Sequence, residues 1–309
     1  MLLLVGACHS APAAPPPVPY VPVELRVTLD RSAYAEGDPV YALVELRNVG
    51  TDTVCVPSMS LDQDWLKMDL SRDGVRIAGG KMLWVDEFYS PGYLGEPLPP
   101  GGAHYEPILL SERWSDGDRV SQALFLGRLP PGLYALVAQF NPRIHWWPGA
   151  TVTSMPVAFI VRSRDSAENA RYDLWMRFAK QLQPGHWPAE VTDSLMGALA
   201  ARVAGDSADP LSATLAEFVA TGEMVAQGRR DHIAIIREWQ SAVMRHEPDA
   251  PAAAWAAARY GEWWLHGDTV PIRRLAESLH GTVAGGILDR SLARHSSPPT
   301  RCAPRTPIR

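Results

Sequence analysis

The chain has 309 residues, 46% of them hydrophobic and 20% charged, with a net charge of −5. That composition belongs to globular proteins, and the length suits two domains of ordinary size, each able to bury its own core. An acidic chain lacks the clustered basic face that phosphate binding demands, so nucleic acid is not an expected partner.

Residues 1–8 read as the remnant of an export signal. Met1-Leu2-Leu3-Leu4-Val5-Gly6-Ala7-Cys8 is an apolar run closing on two small residues and a cysteine. Val5-Gly6-Ala7-Cys8 resembles the lipobox of bacterial lipoproteins. The resemblance implies cleavage before Cys8, a diacylglycerol on its sulfur and acylation of the new amino terminus, a durable membrane anchor. The run is shorter than a working signal core and has no basic residue before it, which points to a start upstream of Met1. Residues 9–21 follow as a Pro/Ala-rich tether, containing Ala11-Pro12-Ala13-Ala14-Pro15-Pro16-Pro17-Val18-Pro19. In polyproline II it rises about 3.1 Å per residue, enough to hold a domain clear of a bilayer. No apolar run elsewhere reaches the roughly 18 residues of a spanning helix. The expected address is the cell envelope, on its periplasmic or outer-membrane face.

Residues 22–163 carry the period-two alternation of strands. Val23 to Leu29 alternates apolar and polar, Asp30 to Asp38 reads as a turn, and Pro39 to Arg47 places Val40, Ala42, Val44 and Leu46 on one face. Thr53 to Val56 is extended. Asp73-Gly74 between Trp65–Leu70 and Val75–Ile77 is a strong hairpin signal. Leu98-Pro99-Pro100-Gly101-Gly102 precedes a strand at His104–Leu110, and Leu129-Pro130-Pro131-Gly132 precedes one at Leu133–Phe140. Val157 to Val161 is the last. Short strands with turn chemistry between them predict an antiparallel β-sandwich.

Tyr34-x-x-Gly37-Asp38-Pro39-Val40, then Leu46-Arg47-Asn48-Val49-Gly50, Leu98-Pro99-Pro100-Gly101 and Pro131-Gly132-Leu133-Tyr134 follow one another in this chain. That order resembles bacterial immunoglobulin-like sandwiches, and is similar in particular to the bacterial intracellular proteinase inhibitor family over roughly residues 23–140. The resemblance implies an immunoglobulin-like fold and, as one functional expectation, a protease inhibitor acting through the sandwich.

At Ser163-Arg164-Asp165-Ser166 the period shifts to about 3.6, and residues 165–296 read as an all-α domain, a helical bundle or short α-solenoid. Ser166 with Asn169 starts a helix carrying Tyr172, Trp175, Phe178 and Leu182. Val191, Leu195, Leu199 and Val203 mark a second, and Pro210 opens a third with Leu211, Leu215 and Phe218. Further helices are predicted from about Arg230 to His246, from Pro251 to Trp264, from Pro271 with Ile272, Leu275 and Leu279, and near Ala284 to Ala293. Residues 297–309 form a disordered tail. The fold class is therefore two-domain, β then α.

The chemistry-bearing motifs are incomplete. Gly74 to Lys81 imitates a phosphate loop, but Met82 stands where a hydroxyl should hold magnesium. Asp62-Gln63-Asp64 begins like a calcium loop and lacks its glycine and closing glutamate. None of the nine histidines sits in a zinc spacing, and no G-x-S-x-G elbow offers a nucleophile. Catalytic residues, metal and cofactor are accordingly expected to be none, with a hydrolase whose residues meet only in space as an alternative. With Cys8 lipidated, Cys55 and Cys302 remain as a possible pair, while a buried Cys55 in a strand is the simpler state. His145-Trp146-Trp147 is the candidate binding surface, since adjacent rings in a loop cannot both turn inward. Trp263-Trp264 on a helix likewise points at most one ring into its own core. The expected function is a non-enzymatic, envelope-anchored binding protein whose partner is an envelope protein or wall polymer.

Overall fold

The computed structural model describes residues 21–57, 59, 65–77, 95–110, 129–141, 151–169, 173, 230–264 and 269–296; within its helices the side chains of 230–236, 239, 262–264 and 294–296 are outside that description. The predicted helices between Tyr172 and Phe218 fall outside the described residues.

The strands run in chain order as β1 (Val23–Leu29), β2 (Ala33–Ala35), β3 (Tyr41–Asn48), β4 (Val54–Pro57), β5 (Leu66–Arg72), β6 (Val75–Ile77), β7 (Gly95–Leu98), β8 (Ala103–Leu109), β9 (Gly132–Phe140), β10 (Val152–Thr153) and β11 (Val157–Arg162). One sheet has the order β1-β3-β8, and the other β2-β11-β9-β5-β6 with β10 on β9. Strands β1, β3 and β8 thus face β11, β9 and β5 in two layers, as in an immunoglobulin-like sandwich. Strands β4 and β7 stand outside these layers and pair with each other in a ribbon of their own. Among the described residues all pairings are antiparallel except β2 with β11. The stretch Asp30–Asp38, read from sequence as a turn, therefore contains a short strand that crosses to the second sheet.

The alternation decides which side chains meet inside. Val23, Leu25 and Val27 of β1, with Val40, Ala42, Val44 and Leu46, face Leu66, Leu70, Tyr134, Leu136, Ala138, Phe140, Phe159 and Val161. The Tyr134 ring stacks on Phe159 at 5.0 Å, and Tyr34 meets Phe159 edge-on at 5.7 Å. The Asp73-Gly74 hairpin forms as expected. Asp73 has φ 51° and Gly74 φ 81°, so both central residues of the two-residue turn are left-handed, which matches the twist of β5 and β6. At Pro99–Gly102 the Gly102 N–H donates to the Pro99 carbonyl at 2.9 Å while Gly101 takes φ 72°, the conformation that requires glycine at the third place of such a turn.

The described helices are α1 (Arg230–His246), α2 (Pro251–Trp264), α3 (Val270–Ser278) and α4 (Val283–Ser296). Pro271 lies in the first turn of α3, where a missing N–H costs nothing. The turn joining α1 to α2 holds α4 by its N-terminus: the Val283 N–H donates to Asp249 Oδ1 at 2.8 Å and the Ala284 N–H to the Pro248 carbonyl at 3.0 Å. Gly285 is obligatory there, because a Cβ would lie 2.1 Å from the Leu279 carbonyl oxygen.

The helices do not form a core apart from the sheets. Helix α2 packs on α1, α3 and α4 and also on β3 and β8. Ala252, Ala253, Ala254, Ala256, Ala257 and Trp255 are all buried, and their cluster takes in Tyr41, Leu43 and Leu109 from the outer face of the first sheet. Tyr41 and Trp255 bring their ring centres to 5.5 Å. The sequence rhythm predicts two separate cores; among the described residues the second core is mostly helical but is completed by Tyr41, Leu43 and Leu109 of the first sheet. The physical reason is that the first half of β3, Tyr41 to Val44, is apolar on both faces, so part of one face remained to be covered after the sandwich closed.

The predicted helix start at Ser166, with Asn169 in the first turn, is where the helix begins. Asp165 caps it: its Oδ1 accepts the Glu168 N–H at 2.8 Å, and Glu168 Oε2 accepts the Asp165 N–H at 2.9 Å, a reciprocal capping box. Arg162 grips the same glutamate at 2.8 and 2.5 Å, and Arg164 donates to the Glu36 carbonyl at 2.7 Å. The chain therefore leaves the sandwich through a fixed joint.

Because the helical layer and the sandwich share a core, Trp255→Ala should cost about 3–5 kcal/mol. In urea titrations followed by both near- and far-ultraviolet circular dichroism, the midpoints of the helical and sheet signals should fall together. Loss of the helical signal alone, at an unchanged sheet midpoint, would show two independent units.

Candidate functional site

The outer faces of the two sheets differ in what covers them. On the first, Tyr41, Leu43 and Leu109 lie under α2, while the rest carries a charge checkerboard: Glu24 stands opposite Arg47 and Arg26 opposite Glu45. Arg26 bonds Glu24 at 2.8 Å and Arg47 bonds Glu45 at 2.7 Å. Both bonds run along a single strand, and partly exposed ion pairs of this kind contribute little individually. Arg290 of α4 donates to the Ala103 carbonyl at 3.0 Å, so the free edge of β8 is partly occupied by the protein's own helix.

On the second sheet the outward residues of β9 are Leu133, Ala135, Val137 and Gln139, and those of β11 are Ala158, Ile160 and Arg162. Leu133 and Ile160 are directly opposite in the ladder and are 55% and 51% exposed. Ala158 faces Ala135 in the next row. Towards β5 the face turns polar: Lys67 lies opposite Gln139, Gln139 Nε2 donates to Asp69 Oδ2 at 3.1 Å, and Arg76 also pairs with Asp69. The face is an apolar strip beside a polar one, open to solvent. In the sequence Leu133 to Gln139 forms one side of a strand, but Tyr134 to Phe140 is apolar too. Alternation alone does not say which side is the outside.

The residues singled out from sequence lie elsewhere. Cys8, His145, Trp146 and Trp147 are outside the described residues, as are Cys302, Asp62 and Asp64, and the side chains of Trp263 and Trp264. Cys55 stands in β4 opposite Pro97 and is half-buried. The expectation that tryptophans fill cores holds for Trp65 and Trp255, both buried.

Three polar clusters have defined geometry. Tyr134 donates its hydroxyl to the Pro130 carbonyl at 2.6 Å, the tyrosine corner that pins the start of this strand in immunoglobulin-like sandwiches. Tyr34, 1% exposed, donates to Asp30 Oδ1 at 2.6 Å and accepts the Arg31 N–H at 3.1 Å; the Arg31 guanidinium lies 4.7 Å above its ring. Burial raises the Asp30 carboxyl above the ordinary range, outweighing its Tyr34 and Arg31 partners. Burial, then the Asp30 charge, raises the Tyr34 phenol as well. His104 Nε2 lies 3.5 Å from Glu96 Oε2, but the residue is only 5% exposed, so it offers little edge to a substrate in solvent. Among the described residues no group of three or more His, Cys, Asp or Glu gathers to hold a metal ion, and no helix is long and apolar enough to cross a membrane.

No family model matches the chain, and no curated protein matches it. Among solved structures it is similar to the ASH / PapD-like domain of human CEP192 (PapD-like domain 7), 18% identical over 53% of this chain and 98% of that one, with a TM-score of 0.20. The likeness is distant, and the strand order, not this match, carries the immunoglobulin-like fold. None of the comparisons lends support to the proteinase inhibitor family in particular.

Asp30 gives a pH-dependent outcome. Its folded carboxyl binds a proton more tightly than the unfolded one, so the ionised form opposes folding at neutral pH, and this opposition fades as pH falls through the raised folded value. Asp30→Asn keeps an acceptor for the Tyr34 hydroxyl. Its thermal midpoint should equal or exceed the wild type at pH 7, with the gap closing towards the ordinary Asp value of about 3.9. Asp30→Ala should instead lose about 1–3 kcal/mol, since the buried Tyr34 O–H is left without its acceptor. A wild-type advantage over the Asp30→Asn variant that grows with pH would contradict the burial argument.

Proposed function

We propose that this is a non-enzymatic, envelope-anchored binding protein that presents the outer face of β2-β11-β9-β5-β6 to an envelope protein or wall polymer. The observation that carries the reading is the contrast between the two sheets: the chain covers the apolar part of one outer face with its own helix and leaves Leu133 and Ile160 of the other in solvent. Exposed apolar pairs set in a polar surround are the usual material of contact surfaces. The lipobox-like Val5-Gly6-Ala7-Cys8 and the Pro/Ala tether support an anchored, displayed domain. Two acyl chains on Cys8 would supply the retention that one does not. His145, Trp146 and Trp147, the binding candidates from sequence, follow β9 closely in the chain and are tested alongside this face.

Retention of envelope components on the immobilised soluble form beginning after Pro19 tests the surface. The double substitution Leu133→Asp with Ile160→Asp should abolish retention while moving the melting temperature little, because both side chains are half in solvent already. Alanine at Trp146 and Trp147 should weaken retention in the same way. Retention that survives the Leu133/Ile160 double substitution at full strength overturns the assignment of this face.

The address is tested apart from the surface. In cells fed a labelled fatty acid, the full chain should take up label and sediment with membranes. The Cys8→Ser variant should do neither. Label on that variant, or a wild type found wholly in the soluble fraction, would remove the anchor from the reading.

A further inference from the structure

We draw no further inference here: the strongest candidate, the exposed Leu133–Ile160 pair on the outer face of the sheet β2-β11-β9-β5-β6, belongs to the site already described, and nothing in the structure shows what covers it.

Discussion

The first half of strand β3, Tyr41 to Val44, is buried on both of its faces, and most of the described architecture depends on that. Val44 and Leu46 close the sandwich on one side, and Tyr41 and Leu43 accept α2 on the other. A strand paired on both edges, by β1 and β8, has its backbone groups taken up by its neighbours. It can therefore sit in the middle of a three-layer stack. Helix α2 is its counterpart, with Pro251 through Ala257 buried without a break. Two turns apolar all round belong inside, and alanine is what allows them to lie close to a sheet and to neighbouring helices at once.

The connections around this stack are tied by polar groups rather than left to packing. Asn48, 1% exposed, donates to the carbonyls of Asp52 and Leu98 at 2.8 Å each and accepts the Gly50 N–H at 2.9 Å. One buried amide thus fixes both the turn after β3 and the end of β7. Ser154 does similar work beside β10, its hydroxyl accepting the Ala138 N–H at 3.0 Å. Arg162, Arg164, Asp165 and Glu168 fix the exit towards the helices. Satisfied networks of this sort specify one arrangement of loops, which hydrophobic contact alone does not.

Much of the sandwich was legible in the sequence because its signals are local. Asp73-Gly74 names its own turn, Pro99 to Gly102 names another, β1 announces itself by alternation, and β9 and β11 by short apolar runs. The helix starts at Pro251 and near Pro271 were readable for the same reason, as was the burial of Ile272, Leu275 and Leu279. The features that escaped it are non-local. Strand β2 has only Ala33–Ala35 and gains its identity from a partner more than a hundred residues away. Asp165 and its neighbour Ser166 are equally good caps by residue type, and only where Glu168 turns decides between them. The candidate face was half readable: Leu133, Ala135 and Val137 lie on one side, but both sides of β9 look alike.

What the sequence determined by itself is the kind of element at each place: the strand rhythm of the first half, the helical rhythm towards the end, and the turns between. Periodicity and turn chemistry are properties of neighbours along the chain, so they survive without a structure. Only the tertiary structure decided that α2 covers the outer face of β1-β3-β8 and that Leu133 and Ile160 stay exposed. Covering a face depends on which apolar surface finds which. Two surfaces of equal hydrophobicity have the same pattern in sequence, and they differ only in what the rest of the chain brings to them.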